Sequence, residues 1–363
     1  MRVALIHDSL TTYGGAERVL EVFAELFPEA PILVPIYRKG LLPHLEHRIS
    51  PSFLQNIPGV VKHHTWTAPL LPLAIEYVDT SGYDLVISSA SAYAKGVRTN
   101  PPTIHICYCH TPTRYLWSDA ATYRSERRLS PVKALLFPLV TSFLRRWDKR
   151  AAQRPDLFVA NSHHVAQRIQ MYYGRTSRVI EPPIEIPPTP TLPTSARTGA
   201  ILTGGRLVGY KHFDLVLEAA KKLNTRVVFF GDGPERERLL ALGADVDYRG
   251  FVTDEELVEL YRSASVFVHP CEEDFGLTIV EAMSHGTPVV ALDRGGAKET
   301  VQPGVNGEFF GELNAEDLSL CLKKTFQKEW NTEAIRNSVR PLDVSRFRER
   351  FQALIHTHLK HSL

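Results

Sequence analysis

Short, unbroken apolar runs alternate with helix-period segments along the whole chain, and this alternation leaves few folds open. Residues 3–6, 84–88, 104–107 and 157–160 read as strands in the first half, and 200–203, 227–230, 266–269 and 289–292 in the second. Amphipathic stretches lie between them. Val19, Leu20, Phe23, Leu26 and Phe27 share one helical face, as do Phe213, Val216, Leu217, Ala220 and Leu223. Thr253 and Glu256 form a capping box ahead of Leu257, Leu260, Tyr261 and Ala264. Apolar strands alternating with helices predict an α/β chain whose parallel sheets are covered by helices on both faces.

The pattern runs twice. Residues 181–199 read EPPIEIPPTPTLPTSARTG, with six prolines and no helical period, and strand–helix alternation restarts at Ala200. Such a segment is extended and stiff, suited to a hinge. The expected organisation is a Rossmann-like domain over 1–180, a hinge over 181–199 and a second Rossmann-like domain over 200–340. A terminal helix within 341–363 is expected to pack across to the first domain. The 363 residues suit two domains of ordinary size. Ligands of open parallel sheets bind outside the carboxyl ends of the strands, so two doubly wound domains facing across a cleft would offer two half-sites.

Charge divides unevenly between the halves. Residues 1–180 carry 21 Lys and Arg against 13 Asp and Glu, and residues 181–363 carry 21 against 27. The first half therefore suits an anionic surface, unless the imbalance is one of solvated side chains only. Cys107, Cys109, Cys271 and Cys321 lack CxxC spacing, which excludes a zinc knuckle or a disulfide scaffold and fits a reducing, cytoplasmic compartment. The opening MRVALIHD reads as a strand rather than a secretory leader. The longest nearly apolar run, residues 134–144, contains Pro138 and falls well short of the roughly 20 residues that cross a bilayer.

Three segments carry chemistry. Gly14 and Gly15, in YGGAER between the first strand and first helix, allow close approach of a ligand to free helical N–H groups, as a diphosphate site needs; a bare βα turn would use the same pair. Gly204-Gly205-Arg206-Leu207-Val208-Gly209-Tyr210-Lys211 follows the first strand of the second domain. Its two cations can converge on phosphates, Arg206 bidentately and Lys211 as a point charge, or be a solvated surface pair. Glu273-Asp274-Phe275-Gly276-Leu277-Thr278-Ile279-Val280-Glu281 opens a helix after the strand 266–269. The Leu277 and Thr278 N–H groups then lack acceptors and suit phosphate oxygens, while the two carboxylates suit sugar and ribose hydroxyls.

In this order the three segments resemble the retaining glycosyltransferases of the GT-B fold, in glycosyltransferase family 4. The resemblance spans essentially the whole chain and rests on G-R-L-x-x-x-K and E-x7-E; Asp274 stands where the family commonly has glycine. It implies an enzyme of class EC 2.4 acting without metal or cofactor on a nucleotide-sugar donor. It implies a Gly15 N–H on the donor diphosphate, and Arg206 and Lys211 on the leaving phosphate. Glu273 would meet the sugar hydroxyls and Glu281 the ribose. Gly205, Gly276, Leu277 and Thr278 would line the phosphates, with Phe251 and Val252 framing the base. The string HTPTRYLW (residues 110–117) looks like a subgroup of mannosyltransferases of surface-polysaccharide assembly. This favours GDP-mannose over UDP- or ADP-sugars, with His110 catalytic and, together with Arg114, holding a glycan or polyprenyl-linked acceptor. On residue chemistry alone the less favoured reading of His110 is a loop cap.

Residues 124–154 carry nine Lys and Arg against Glu126 and Asp148, around an apolar stretch. This suits peripheral docking on the anionic inner face of the cytoplasmic membrane, or a packed helix with cationic ends. Few aromatics interleave the charges, so no nucleic-acid partner is expected. Other signals are set aside. The GDGPER run (231–236) has arginine where a dinucleotide fingerprint needs a small residue. Asp245-Val246-Asp247 has no further ligand cluster, His163 and His164 follow the natural N-cap Ser162, and no metal-ligand set is apparent. A nucleotide-sugar epimerase and a non-catalytic scaffold relative are the competing classes.

Overall fold

In the computed structural model, which describes residues 1–63, 67–118, 120, 131–243 and 245–362, the chain divides into two units. One comprises Met1–Pro182 with Arg348–Leu363, the other Pro183–Phe347.

The first unit is built on strands β1 (Val3–His7), β2 (Ile32–Val34), β3 (Ile49–Pro51), β4 (Leu85–Ala90), β5 (Ile104–Cys109), β6 (Leu157–Ala160) and β7 (Arg178–Val179). All pair in parallel in the order β3-β2-β1-β4-β5-β6-β7. The chain winds outward from β1 through β2 to β3, then crosses back to β4, so the winding direction reverses between β1 and β4. The strands VALIH and LVISSA are buried at every position, which is why they read as unbroken apolar runs.

The second unit repeats the plan with β8 (Ile201–Gly204), β9 (Val227–Phe230), β10 (Val246–Gly250), β11 (Val266–His269), β12 (Val289–Leu292) and β13 (Gly307–Phe310). Their order is β10-β9-β8-β11-β12-β13, again all parallel, with the reversal between β8 and β11. Apolar clusters lie on both faces of this sheet: Val216, Leu217 and Leu318 in one, Ile279, Met283 and Ile335 in the other. Two doubly wound parallel α/β sheets of this kind make the GT-B fold. Crevices at the carboxyl ends of strands beside each reversal are where such sheets bind ligands.

The helices begin where local chemistry asks. Thr253 and Glu256 form the capping box of the Asp254–Ser263 helix. Ser162 caps the His163–Tyr173 helix by accepting from Val165 N–H at 3.0 Å. The Pro-rich run is bonded to the second unit over much of its length. Arg197, buried, donates to the carbonyls of Ala264 (2.8 Å) and Gly286 (2.9 Å) and to Thr287 Oγ1 (2.6 Å), and Thr191 bonds Thr332 at 2.8 Å. From Arg348 onward the terminal helix (Val344–Ser362) belongs to the first unit. There Phe351 is buried against Phe23 (4.7 Å between centroids) and Tyr108 (6.4 Å), and Arg350 pairs with Glu181 at 2.5 Å. Among the described residues no helix is long and apolar enough to cross a membrane. Cys107, Cys109, Cys271 and Cys321 are free thiols.

Candidate functional site

The loops after β8 and β11 flank the reversal of the second sheet, and the structure brings their charged residues together. Lys211 Nζ lies 3.1 Å from Glu273 Oε1, both side chains largely buried. Burial alone would depress the Lys211 ammonium, but the Glu273 carboxylate outweighs it and pushes the pKa up, so the lysine stays charged. Gly205 adjoins the pair, since a Cβ built on it would lie 3.5 Å from Lys211 Nζ, and its φ of +126° suits glycine alone. Arg206 is exposed, and its one side-chain hydrogen bond among the described residues is a long one, 3.5 Å to the Tyr210 hydroxyl.

Beyond Glu273, Asp274 and Phe275 are buried and Gly276, at φ +86°, turns the chain into the Leu277–Ser284 helix. Leu277 and Thr278 open this helix, where no preceding turn accepts from their N–H groups. Aspartate at 274 keeps a negative φ, so its departure from the family's glycine strains nothing. The loop is held by two glycines that sequence reasoning missed. Gly296 N–H donates to the Glu273 carbonyl at 2.8 Å, and a Cβ on Gly295 would come within 2.5 Å of that same oxygen. Only the consecutive GG before the Ala297–Thr300 helix signalled this.

Glu281, one face down the Leu277–Ser284 helix, accepts from the Tyr261 hydroxyl at 3.2 Å. Val252 packs on the apolar cluster that contains Tyr261, while Phe251, just past β10, is 85% exposed.

The signals set aside find structural roles. A Cβ on Gly231 would sit 1.9 Å from the Gly205 carbonyl oxygen, so the glycines of GDGPER serve the packing of the β8 and β9 loops. Asp247 accepts from Arg226 and Arg249, each at 2.7 Å, which occupies the DxD carboxylate. A correction concerns metal-ligating types: His269, Cys271 and Glu273 each bring one ligand atom within 4.8 Å of the others, a grouping not apparent in the sequence. It forms because β11 ends at His269 and the chain bends at Cys271. Lys211 supplies a positive charge at its Glu273 end.

In the first unit, Gly14 is the extended N-cap and Gly15 the first residue of the Gly15–Leu26 helix, which follows β1 beside the other reversal. His110, just past β5, is buried, and its Nε2 lies 2.8 Å from Ser89 Oγ at the end of β4. Arg114 is half-buried in the loop beyond. That loop is fixed by residues sequence reasoning did not single out for it. Asp148, on the Pro131–Ala151 helix, pairs with Lys95 at 2.5 Å and accepts from Thr113 Oγ1 (2.9 Å), Trp117 Nε1 (2.7 Å) and the Tyr173 hydroxyl (2.8 Å). Asp8 accepts four backbone N–H bonds, from Ser91, Ala92, Tyr93 and Ala94 at 2.7–2.9 Å, and so shapes the turn after β4. A lone acid in a basic helix and an acid at a strand end were the only signals. His110, Arg114, Gly14 and Gly15 thus belong to the first unit and all other site residues to the second.

Burial holds several histidines neutral: His110, His269 and His285 are lowered to about 4 and His105 to about 3. In the unfolded chain the same rings titrate near 6.5, so the unfolded state binds more protons between those values. Stability these rings contribute is full above pH 6.5 and lost as pH falls toward 4. Urea midpoints are expected to drop from pH 7 to pH 5, and equal midpoints would show that the rings are solvated.

Comparison with known proteins agrees with this fold. The domain family described as Glycosyltransferase Family 4 matches residues 13–186, and Glycosyl transferases group 1 matches residues 194–340. A sulfoquinovosyl transferase of Arabidopsis thaliana is 35% identical over 143 residues, 38% of this chain and 28% of its own. A GDP-mannose-dependent alpha-mannosyltransferase of Mycolicibacterium smegmatis is 37% identical over 100 residues, 27% of either chain. The chain thus spans about a third or less of the length of these relatives. Among solved structures, Anabaena HepE in complex with UDP and glucose superposes with TM-score 0.71 at 20% identity, covering 98% of this chain and 99% of that one. Sucrose-phosphate synthase from Thermosynechococcus elongatus gives 0.75 at 17%, covering 99% and 100%. At these identities the likeness is one of fold.

Proposed function

We propose that this chain, which belongs to the family 4 glycosyltransferases, moves a sugar from a nucleoside diphosphate sugar to a hydroxyl of a glycan or lipid-linked acceptor, with retention and without metal. The observation that carries the reading is the buried Lys211–Glu273 pair at the reversal of the second sheet, beside the exposed Arg206 and an open helix N-terminus. Lys211, Arg206 and the helix N-terminus are the positive groups of these loops, suited to a departing diphosphate as it gathers charge, and electrostatic stabilisation of that kind is the largest catalytic term in group transfer. Glu273 is the acceptor for sugar hydroxyls, Glu281 for the ribose, and Phe251 the platform for the base. Gly14 and Gly15 offer N–H groups to phosphate, and His110 and Arg114 hold the acceptor or the transferred sugar. In the step itself the anomeric carbon–oxygen bond breaks and the nucleoside diphosphate leaves with its electron pair. The acceptor oxygen bonds to the same face of that carbon, and its proton passes to the departing phosphate oxygen.

GDP-mannose is the favoured donor, on the strength of HTPTRYLW and of relatives named as GDP-mannose-dependent; neighbours named with UDP make uridine the rival base. Where the acceptor is polyprenyl-linked, the chain works at the inner face of the cytoplasmic membrane in surface-polysaccharide assembly. The Pro131–Ala151 helix supports this, because Leu139 and Phe143 are exposed on a surface that also carries exposed Arg146 and Arg150. Residues 124–130 of the basic segment lie outside the described residues.

Calorimetric titration with GDP-, UDP- and ADP-sugars, with and without EDTA, tests the reading. One nucleotide sugar should bind equally well in EDTA, and an added acceptor should convert it to glycoside. Conversion without acceptor would make the chain an epimerase, and no binding at all would leave a scaffold.

A further inference from the structure

Glu17, His7, Ser89 and His110 form one buried chain of polar contacts at the carboxyl end of the first sheet. His7 closes β1, Ser89 stands opposite it in β4, and His110 follows β5 with its N–H bonded to the Ala90 carbonyl at 2.9 Å. The first turn of the Gly15–Leu26 helix adds Glu17. His7 Nε2 lies 3.4 Å from Glu17 Oε1, His7 Nδ1 lies 2.9 Å from Ser89 Oγ, and Ser89 Oγ lies 2.8 Å from His110 Nε2. Burial works against charge on Glu17, yet the hydrogen bond from His7 holds its carboxyl below the ordinary range, so it is a carboxylate.

Such a chain has a direction. A carboxylate only accepts, so His7 carries a proton on Nε2, and where the ring holds that one proton alone Nδ1 is a lone pair. Ser89 has a single hydroxyl proton, which goes to that lone pair, and its oxygen then accepts from His110. The His110 proton is therefore on Nε2, and Nδ1, which bonds no described residue, is bare. We propose that Glu17, His7 and Ser89 are positioning residues that fix this tautomer, so that His110 presents a hydrogen-bond acceptor and recognises a ligand O–H. Sugar hydroxyls meet that requirement and ionised phosphate oxygens do not. The identity of the hydroxyl, on the donor sugar or on the acceptor, rests on the proposed transferase reading; the tautomer does not.

Long-range 1H–15N correlation spectra of 15N-histidine-labelled protein at pH 8 read the tautomer directly, with His110→Gln assigning the signal. The wild type should show His110 protonated on Nε2. Glu17→Gln offers an N–H as well as a carbonyl, so the chain loses its direction and the His110 proton should move in part to Nδ1, although Glu17 does not touch that ring. In a Ser89→Ala background the same change should leave His110 unaffected. A wild-type ring protonated on Nδ1 overturns the proposal even if the variants fail to fold, as does a Glu17→Gln spectrum identical to wild type. In initial-rate assays Glu17→Gln should raise KM about fivefold to tenfold, the loss of one net hydrogen bond, for whichever substrate brings the hydroxyl. Donor and acceptor KM values tell the two apart. A wild type inert toward every nucleotide sugar, with the tautomer as stated, would defeat the transferase reading alone.

Discussion

Arg206→Ala is expected to lower kcat about 10²–10³-fold, the usual cost of removing one preorganised donor from a developing oxyanion, while the melting temperature hardly moves. Arg206 is exposed and holds nothing but a long contact to Tyr210, so its removal should change stability by about 0.5 kcal/mol at most. Its charge matters only when a diphosphate accumulates negative charge beside it. Lys211→Ala should match the rate loss but also cost stability, because Glu273, 3.1 Å away and only 19% exposed, is left without its cation. Arg238→Ala is the control, since it removes an exposed guanidinium that pairs with Asp214 and Glu235, neither of them a site carboxylate, and should leave kcat unchanged. Steady-state kinetics beside thermal melts separate the cases. Near-wild-type kcat for both Arg206→Ala and Lys211→Ala would remove the leaving-group role from this loop.

The largest stability effect belongs to Asp148. Lys95 and Asp148 are each 1% exposed and 2.5 Å apart, and deleting one member of such a buried pair costs about 3–5 kcal/mol because the other charge remains. Asp148→Ala also strands Thr113, Trp117 and Tyr173, which all donate to its carboxylate. The first unit should melt about 6–20 °C lower by calorimetry, and the near-ultraviolet signal of Trp117 should weaken below the transition. Replacing both partners, Lys95→Met with Asp148→Leu, should recover much of the loss, since no unpaired charge is then buried. A single variant that melts like wild type would mean that water reaches this cluster.

Neither Lys95 nor Asp148 was legible as a pair in the sequence, where they lie 53 positions apart in segments of different period. The same holds for Asp8 with its four N–H donors, for Gly295 and Gly296 against the Glu273 carbonyl, and for the chain from Glu17 to His110. The central strands were legible because parallel strands covered on both faces must be apolar throughout. Residues 157–160, 227–230, 266–269 and 289–292 agree with the structure end to end. Edge strands such as β3, β7 and β13 were not, being short or partly exposed.

What the sequence determined by itself, then, was local. Apolar period fixes strand or helix, glycine and capping residues fix the turns, and a cation or carboxylate just past a strand is delivered to the carboxyl edge of a sheet. Which of those edge residues meet was decided by strand order. Lys211 faces Glu273 because β8 and β11 are neighbours in space though β9 and β10 separate them in the chain. His7, Ser89 and His110 line up because β1, β4 and β5 are neighbours. Strand order follows from burying both faces of each sheet at once, a condition on all the helices together that no single segment carries.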